Sequence, residues 1–111
     1  MPKSDLIRLK HMLDAAKEAA SFLRGKPKAA LGTDRILILA LTRSIEIIGE
    51  AASQVSKEFQ KSHPQIVGMR NRLIHAYFDV DMDRVWDTVM DDLPPLTAEL
   101  EKIISQSSIE N

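Results

Sequence analysis

The longest helical pattern in this chain is residues 33–59, TDRILILALTRSIEIIGEAASQVSKEF. Its apolar residues recur every three or four positions, which is the period of an α-helix that buries one face. The main stripe is Leu37, Leu41, Ile45, Ile48, Ala52, Val55 and Phe59, and it is widened by Ile36, Ala40, Ile47 and Ala51. We therefore expect one helix that opens at Thr33 or Asp34 and buries more than one face. Gly49 inside it suggests close helix–helix approach, either at the centre of a bundle or at a subunit contact.

A second helical pattern precedes this segment. Its apolar residues are Leu6, Leu9, Leu13, Ala16, Ala20 and Leu23, again with steps of three and four. Ser4 and Asp5 suit the N-cap and the acidic first turn, Gly25 suits the C′ position, and Pro27 prevents continuation of the helix. Residues 26–32 are then expected to form a loop.

Two further helices are predicted downstream. Ser62-His63-Pro64 is a start signal, because proline suits the first helical turn, and the third helix runs from about Gln65 to near His75. Asp79 or Asp81 can cap a fourth helix. The apolar stripe of that helix is Met82, Val85, Val89, Leu93, Leu96, Leu100 and Ile103. Pro94-Pro95 must break or kink it near Leu93.

These patterns predict an all-α fold. No stretch alternates with the period of two that a half-buried strand requires. The expected architecture is an up-and-down bundle of four helices, or five if the Pro94-Pro95 break is counted. A length of 111 residues leaves room for one domain, so we assign residues 1–111 to a single domain.

The composition excludes several classes of protein. Without cysteine the chain has no disulfide framework, no thiolate metal site and no thiol nucleophile. The longest unbroken apolar run, Ile36 to Leu41, is far too short to cross a bilayer. Charged residues interrupt the first positions, where a secretory signal would need an apolar segment. We expect a cytoplasmic protein that makes no membrane contact.

Polar side chains with functional potential are concentrated in residues 69–79, MRNRLIHAYFD. This segment contains two arginines, an amide, an imidazole and a phenol. An imidazole can take up and return a proton near neutral pH. A guanidinium can bind phosphate oxygens and stabilise the charge that develops in phosphoryl transfer. Together these groups suffice for metal-independent cleavage of RNA, in which the 2′-hydroxyl is an internal nucleophile.

Helical geometry restricts this hypothesis. On an ideal helix Arg70 and His75 point about 140° apart. They share a site only if the helix frays before His75 or if a second subunit completes the site. Asn71 and His75 lie on one face, with Arg72 beside them.

The net charge of −1 conceals a division of the chain. Residues 1–78 hold thirteen lysines and arginines against seven acidic residues, whereas residues 79–111 hold two against nine. The sign changes directly after the polar segment. We therefore expect Arg70 and Arg72 to face a basic cleft suited to a phosphate backbone, with an acidic outer face on the C-terminal helices.

The segment Arg70-x4-His75-x-Tyr77 resembles the R-x4-6-H motif of HEPN domains, in the R-x4-H-x-Y form of the HepT-like toxins. The likeness covers almost the whole chain. It includes residues 47–52 (IIGEAA), 70–75 (RNRLIH), 77–81 (YFDVD), 85–86 (VW) and 92–96 (DLPPL).

The resemblance implies a small α-helical ribonuclease toxin that acts as a homodimer, with the motif in a cleft at the dimer interface. From the residues themselves we expect no metal and no cofactor. By the same resemblance Arg70 binds the scissile phosphate and stabilises the transition state. His75 is then the general base or acid, and Asn71 assists the site. The products carry a cyclic phosphate and a 5′-hydroxyl.

The resemblance also implies a protein partner, a minimal nucleotidyltransferase of the MntA type that serves as the antitoxin. Such an antitoxin adds AMP to the motif tyrosine, here Tyr77, and the added charge and bulk would occupy the place of the RNA. Inhibition by simple occlusion remains an alternative. A dimer, a tetramer and a complex with the antitoxin are all compatible with the sequence.

Two other functions compete with this one. The first is a catalytically silent HEPN module that binds nucleotide or a nucleotidyltransferase. The second is a histidine-phosphotransfer bundle, which would need an exposed histidine in the middle of a helix, whereas His75 is expected at a helix end.

Several polar residues have simpler structural interpretations. Arg70 and, with greater reason, Arg72 could pair with an acidic residue of the next helix. Glu46 and Glu50 share a face and could pair with Arg43. Asp79-x-Asp81-x-Asp83 lacks the glycine and glutamate of a calcium loop and fits a helix cap. His11 and His63 have no metal-ligand spacing, and Trp86 is expected in the core or at an interface.

Overall fold

The computed structural model describes the backbone of residues 1–76 and 81–110, and the side chains of residues 1–73 and 81–107. In this part of the chain every regular element is a helix. The helices are α1 (Lys3–Leu23), α2 (Ala30–Thr33), α3 (Arg35–Ser53), α4 (Lys57–Ser62), α5 (Pro64–Ala76), α6 (Met82–Asp87) and α7 (Leu93–Glu110). A π-helical segment, Thr88–Asp92, joins α6 to α7. The predicted all-α fold is confirmed.

Four long helical units form the bundle, and α3 is its central helix. It packs against α1 on one side and α5 on the other, and it also contacts α2 and α6. The last unit, α6 through α7, returns to pack against α1. The large side chains that are 0–1% exposed include Leu9, Met12, Leu41, Ile45, Ile48, Leu73, Val85, Leu93 and Leu100. Gly49 is buried within α3, which favours the first of its two predicted places, the centre of the bundle, over a subunit contact.

The start of α1 differs from the prediction. The helix begins at Lys3, with Pro2 at the N-cap position and no side-chain cap. Asp5 is 2% exposed and bonds to a distant residue, since its carboxylate accepts hydrogen bonds from the backbone N–H of Ser56 at 2.8 Å and from Ser56 Oγ at 2.6 Å. The expectation that Ser4 caps this helix is wrong, because the N-cap position is Pro2, whereas Asp5 does lie in the first turn as expected and its carboxylate also anchors the α3–α4 connection.

The apolar stripe from Leu37 to Phe59 is divided between two helices. The Asp34 side chain accepts from the backbone N–H of Leu37 at 3.0 Å, which confirms the predicted start. The helix ends at Ser53, however, and Ser56 caps α4 by accepting from the backbone N–H of Phe59 at 3.1 Å. Val55 and Phe59 remain buried, so the apolar period continues although the helix does not.

Other predicted boundaries vary in accuracy. Gly25 follows α1 with φ +75°, the left-handed conformation that glycine adopts without strain. Pro64 is the first residue of α5, and Asp81 caps α6 by accepting from the backbone N–H groups of Asp83 at 3.0 Å and Arg84 at 3.3 Å. The expected loop of residues 26–32 contains the start of the one-turn helix α2.

The last helical unit contains a π-helical segment just before its two adjacent prolines. Pro94 and Pro95 have no backbone N–H, so they cannot donate to the carbonyls four residues earlier. Just before them the backbone N–H of Leu93 donates to the carbonyl of Thr88, five residues back, which is the π-helical pattern. The predicted interruption near Leu93 therefore takes the form of a π-helical segment that joins two α-helices.

Candidate active site

The polar motif lies on α5, and three apolar side chains fix the rotation of that helix. Ile66, Met69 and Leu73 are 2%, 7% and 1% exposed, and α5 packs on α3. Their spacing of three and four residues places them on one face of the helix. Asn71 is exposed on the outer surface and Arg70 is partly exposed beside it.

Arg70 and Asn71 form a bonded pair. Arg70 Nε donates to Asn71 Oδ1 at 3.2 Å, and Arg70 Nη2 donates to the same oxygen at 3.0 Å. The Asn71 oxygen thus binds the Nε and Nη2 side of the guanidinium, and the Nη1 group makes no hydrogen bond to Asn71. Among the described side chains no carboxylate forms an ion pair with Arg70.

His75 lies within α5 by its backbone, but its side chain is outside the described residues, as is Tyr77. Arg70 and His75 could share a site if the helix frayed before His75 or if a second subunit completed the site. The helix extends to Ala76. Because α5 does not end before His75, the two positions remain about 140° apart around a single helix. Fraying ahead of His75 is therefore not the geometry of this chain.

Arg72 points elsewhere on the same helix. It is exposed, and its Nη2 lies 3.8 Å from the Met69 sulfur, a weak acceptor. No ion pair between described side chains includes it. The alternative in which Arg72 pairs with an acid of the next helix therefore finds no partner in the described part of the chain.

Glu46 and Glu50 have the structural role that their spacing suggested. Arg43 Nη1 lies 3.3 Å from Glu46 Oε2 and 3.4 Å from Glu50 Oε1 on the outer side of α3. Both carboxylates therefore form ion pairs with an arginine of their own helix.

The acidic start of α6 is linked to the chain before α2. Lys28 Nζ lies 2.8 Å from Asp83 Oδ1. The hydrogen bond that Lys28 donates to Asp83 raises the pKa of Lys28, and the nearby Asp87 and Asp81 carboxylates raise it further. Asp81 thus acts as a helix cap and Asp83 lies in the first turn, as their pattern predicted, and Asp83 is in addition an ion-pair partner. No group of three or more metal-ligating side chains occurs among the described residues.

The comparisons with known proteins agree with this arrangement of helices and motif. A family model described as "Ribonuclease HepT-like" matches residues 12–103, a span that includes all of α5 and the whole R-x4-H-x-Y segment. This chain belongs to the HepT-like ribonuclease family. This match confirms the family that the sequence predicted. Because the family is one of ribonucleases, it also confirms the predicted enzyme class.

Relatives of this HepT-like protein include archaeal and bacterial chains. A Thermococcus cleftensis protein named "Probable ribonuclease HepT" is 41% identical over 75 residues, which are 63% of this chain and 68% of the relative. A Caldanaerobacter subterraneus protein whose name classes it as an RNase is 33% identical over 103 residues, or 88% of this chain and 92% of the relative. None of the solved structures matches the chain.

Sequence reasoning missed one polar contact beside the HepT-like motif. Gln65 Nε2, at the start of α5, donates to Glu99 Oε1 of α7 at 3.2 Å. The two residues are 34 positions apart and stand at solvent-facing places in their own helical patterns. No local signal in the sequence marks such a pair. Together with Arg72 they border a groove between α5 and α7.

Proposed function

We propose that this HepT-like protein is a metal-independent endoribonuclease that acts as the toxin of a toxin–antitoxin pair. The observation that carries the proposal is the Arg70–Asn71 pair, in which two guanidinium N–H groups donate to one amide oxygen at 3.2 and 3.0 Å. A guanidinium held in this way keeps its remaining donors in a fixed direction, which suits the binding of a phosphate group.

In the proposed reaction His75 takes the proton of the 2′-hydroxyl, and the oxygen attacks the neighbouring phosphorus. The bond from phosphorus to the 5′-oxygen breaks, and an acid returns a proton to that oxygen. The products are a cyclic phosphate and a 5′-hydroxyl. Arg70 stabilises the negative charge that develops on the phosphate oxygens.

We further propose that the active form is a homodimer. Because α5 is helical as far as Ala76, Arg70 and His75 of one chain do not share a face, and a cleft between two copies supplies both groups from two helices. Exposed apolar side chains support such a contact at the end of the bundle where α2, α3 and α6 meet. Ile36, Leu39 and Met82 are 81%, 53% and 41% exposed there.

The test is cleavage of total RNA and growth arrest, with EDTA present in the cleavage assay. The wild-type protein is expected to cut RNA and to arrest growth, and Arg70→Ala and His75→Ala are each expected to abolish both effects. Arg24→Ala, at an exposed position after α1, is the control and keeps both. A wild-type protein that cuts no RNA and is harmless when expressed would favour the catalytically silent HEPN module.

The proposed antitoxin is a minimal nucleotidyltransferase that transfers AMP to Tyr77. Support for this partner is the family resemblance of the segment around Tyr77. Mass spectrometry of the protein co-expressed with a neighbouring nucleotidyltransferase is expected to find one or more AMP units on Tyr77 and none in Tyr77→Phe. Tight binding with an unmodified Tyr77 would indicate occlusion in place of modification.

A further inference from the structure

The groove between α5 and α7 has a volume of about 260 Å³. Its floor is apolar and consists of the buried side chains Ile66, Met69 and Leu96, with Pro95 at one edge. This volume is just below the roughly 300–1,000 Å³ of pockets that enclose a whole drug-sized ligand. A single planar ring system, such as one nucleobase, matches both the size and the apolar floor.

Polar groups of opposite charge stand at the two ends of the groove. Gln65, which holds the Glu99 carboxylate, is seven positions before Arg72 on α5, so the two are about 10 Å apart along the helix axis. Glu99 offers only acceptors and Arg72 offers only donors. A ligand that fills the groove must therefore present N–H donors at one edge and acceptors at the other.

Guanine meets this requirement better than the other bases. Its ring N–H and its 2-amino group point in the same direction and match the two oxygens of a carboxylate. Its Hoogsteen edge, which adjoins the first, carries the acceptors O6 and N7, which an arginine can bind through two N–H groups. Adenine, cytosine and uracil do not present two adjacent donors on one edge.

The groove is next to the His75 position of the candidate active site along α5, since Arg72 lies three positions before His75, whereas Arg70 lies on a different side of the helix. Arg72 follows Asn71 directly on α5, and its guanidinium is bonded only to the Met69 sulfur among the described residues, at 3.8 Å. Single-stranded RNA can turn individual bases out of the stack, place them in pockets and bind them through arginine and other polar side chains. A nucleotide next to the cleavage point at His75 can thus place its base in this groove.

We infer that the groove between α5 and α7 is a base-binding subsite that selects guanine close to the cleavage point, with Glu99 and Arg72 as the selecting residues. The inference rests on the proposed ribonuclease function. Gln65 is a positioning residue in this site, because its amide fixes one oxygen of the Glu99 carboxylate and leaves the other oxygen free of Gln65.

Binding to RNA that cannot be cleaved tests the inference separately from catalysis. The probes are fluorescent 2′-O-methyl uridine oligomers with one central guanosine, adenosine, cytidine or inosine, measured with the dimeric wild-type protein. Guanosine is expected to bind about tenfold more tightly than the others, because a well-placed bidentate contact discriminates by that order. Inosine, which lacks the 2-amino group, is expected to lose this advantage without any change to the protein.

Protein variants identify the residues responsible. Glu99→Gln is expected to abolish the guanosine preference. The matched control is Glu101→Gln on the same helix, where the carboxylate pairs with Lys17 at 3.5 Å away from the groove, and this variant keeps the preference. In the cleavage assay the wild-type cut sites are expected to have guanosine at one fixed nearby position.

Equal binding of all four probes, or a guanosine preference that survives in Glu99→Gln, would overturn the subsite. If RNA is still cleaved in that case, the proposed ribonuclease function stands without it. A preference for guanosine in a protein that cleaves no RNA would instead overturn the ribonuclease proposal and leave a guanine-binding groove.

Discussion

Arg70 and Asn71 are adjacent in sequence, and their side chains form one unit on the surface of α5. The amide oxygen of Asn71 accepts both hydrogen bonds, so the guanidinium plane is fixed relative to the helix. A guanidinium that is ordered before substrate binds loses less side-chain entropy when it engages a phosphate. Asn71 can therefore contribute to the proposed cleavage without touching the reacting atoms.

We expect Asn71→Ala to lower the rate of RNA cleavage about tenfold. This factor corresponds to about 1.4 kcal/mol, a typical contribution of a hydrogen bond that involves a charged group. The effect should fall on kcat more than on KM if Asn71 orients Arg70 in the transition state. Asn71→Asp keeps the acceptor oxygen and serves as the comparison, and an unchanged rate in Asn71→Ala would argue against the positioning role.

Asp5 is the other residue whose surroundings define a measurable role. It is 2% exposed and accepts from both the backbone and the hydroxyl of Ser56. Asp5→Ala should lower the free energy of unfolding by about 3 kcal/mol, because it removes the charged acceptor of two partly buried donors. Urea denaturation measures this loss, and Ser4→Ala at an exposed position should change it little. Similar midpoints for the two variants would contradict the proposed anchor.

At the scale of elements, short-range signals predicted boundaries well. Asp34, Pro64 and Asp81 each act on backbone groups within a few residues, so their roles follow from local sequence. The α3–α4 boundary was missed although Ser56 is also a local cap, because the apolar spacing continues through Val55 and conceals the end of α3. The bond from Ser56 to Asp5, 51 residues earlier, has no local signal in the sequence.

In the candidate site, too, the features that depend on residues close in sequence could be predicted and those that depend on distant residues could not. Arg70, Asn71 and their shared helix were predictable because the motif is contiguous, and the family could be predicted from it as well. The groove between α5 and α7 could not be predicted, since Gln65 and Glu99 are brought together by the tertiary fold.

The link between the chain before α2 and the start of α6 predicts a pH dependence. The Asp83 carboxylate raises the pKa of Lys28 above its usual value of 10.5. A raised folded-state pKa stabilises the fold below pH 10.5, and this contribution is lost as the pH rises through the higher folded-state value. The difference in stability between wild type and Lys28→Met should therefore be constant from neutral to mildly alkaline pH and shrink above pH 10.5.

Denaturant midpoints across this pH range check the prediction. The comparison variant is Lys26→Met, because Lys26 lies farther from its carboxylate, 3.9 Å from Asp34 Oδ2. Since Lys28 is solvent-exposed, added salt should weaken its contribution at neutral pH. If the difference in stability between wild type and Lys28→Met grew at high pH, the Lys28–Asp83 ion pair would not be the cause of that difference.

At the scale of the whole molecule, the proposed activity depends on a contact between two copies. The exposed apolar surface of Ile36 and Leu39 lies at the start of α3, where α6 follows the motif segment after a short connection. Burial of such side chains favours association by about 25 cal/mol per Å² of apolar surface. Assembly and cleavage should therefore be lost together when this surface is made charged.

If the protein is the proposed homodimer, we expect Ile36→Glu to convert it to a monomer and to lower RNA cleavage by more than tenfold. Light scattering after size-exclusion chromatography measures the mass, and the cleavage assay uses the same samples. Ile7→Glu, at a 45% exposed position of α1, is the control and should remain dimeric and active. A monomeric Ile36→Glu protein with full activity would show that one chain holds a complete site.

The π-helical segment Thr88–Asp92 has a consequence for how this chain tolerates changes of length in evolution. A π-helical turn accommodates one more residue than an α-helical turn, so a deletion here can be absorbed by a return to α-helical bonding. A one-residue deletion within α3 would instead rotate every later position by about 100° and turn its buried face outward. Single-residue gaps among related sequences should therefore gather at residues 88–92 and be rare in α3.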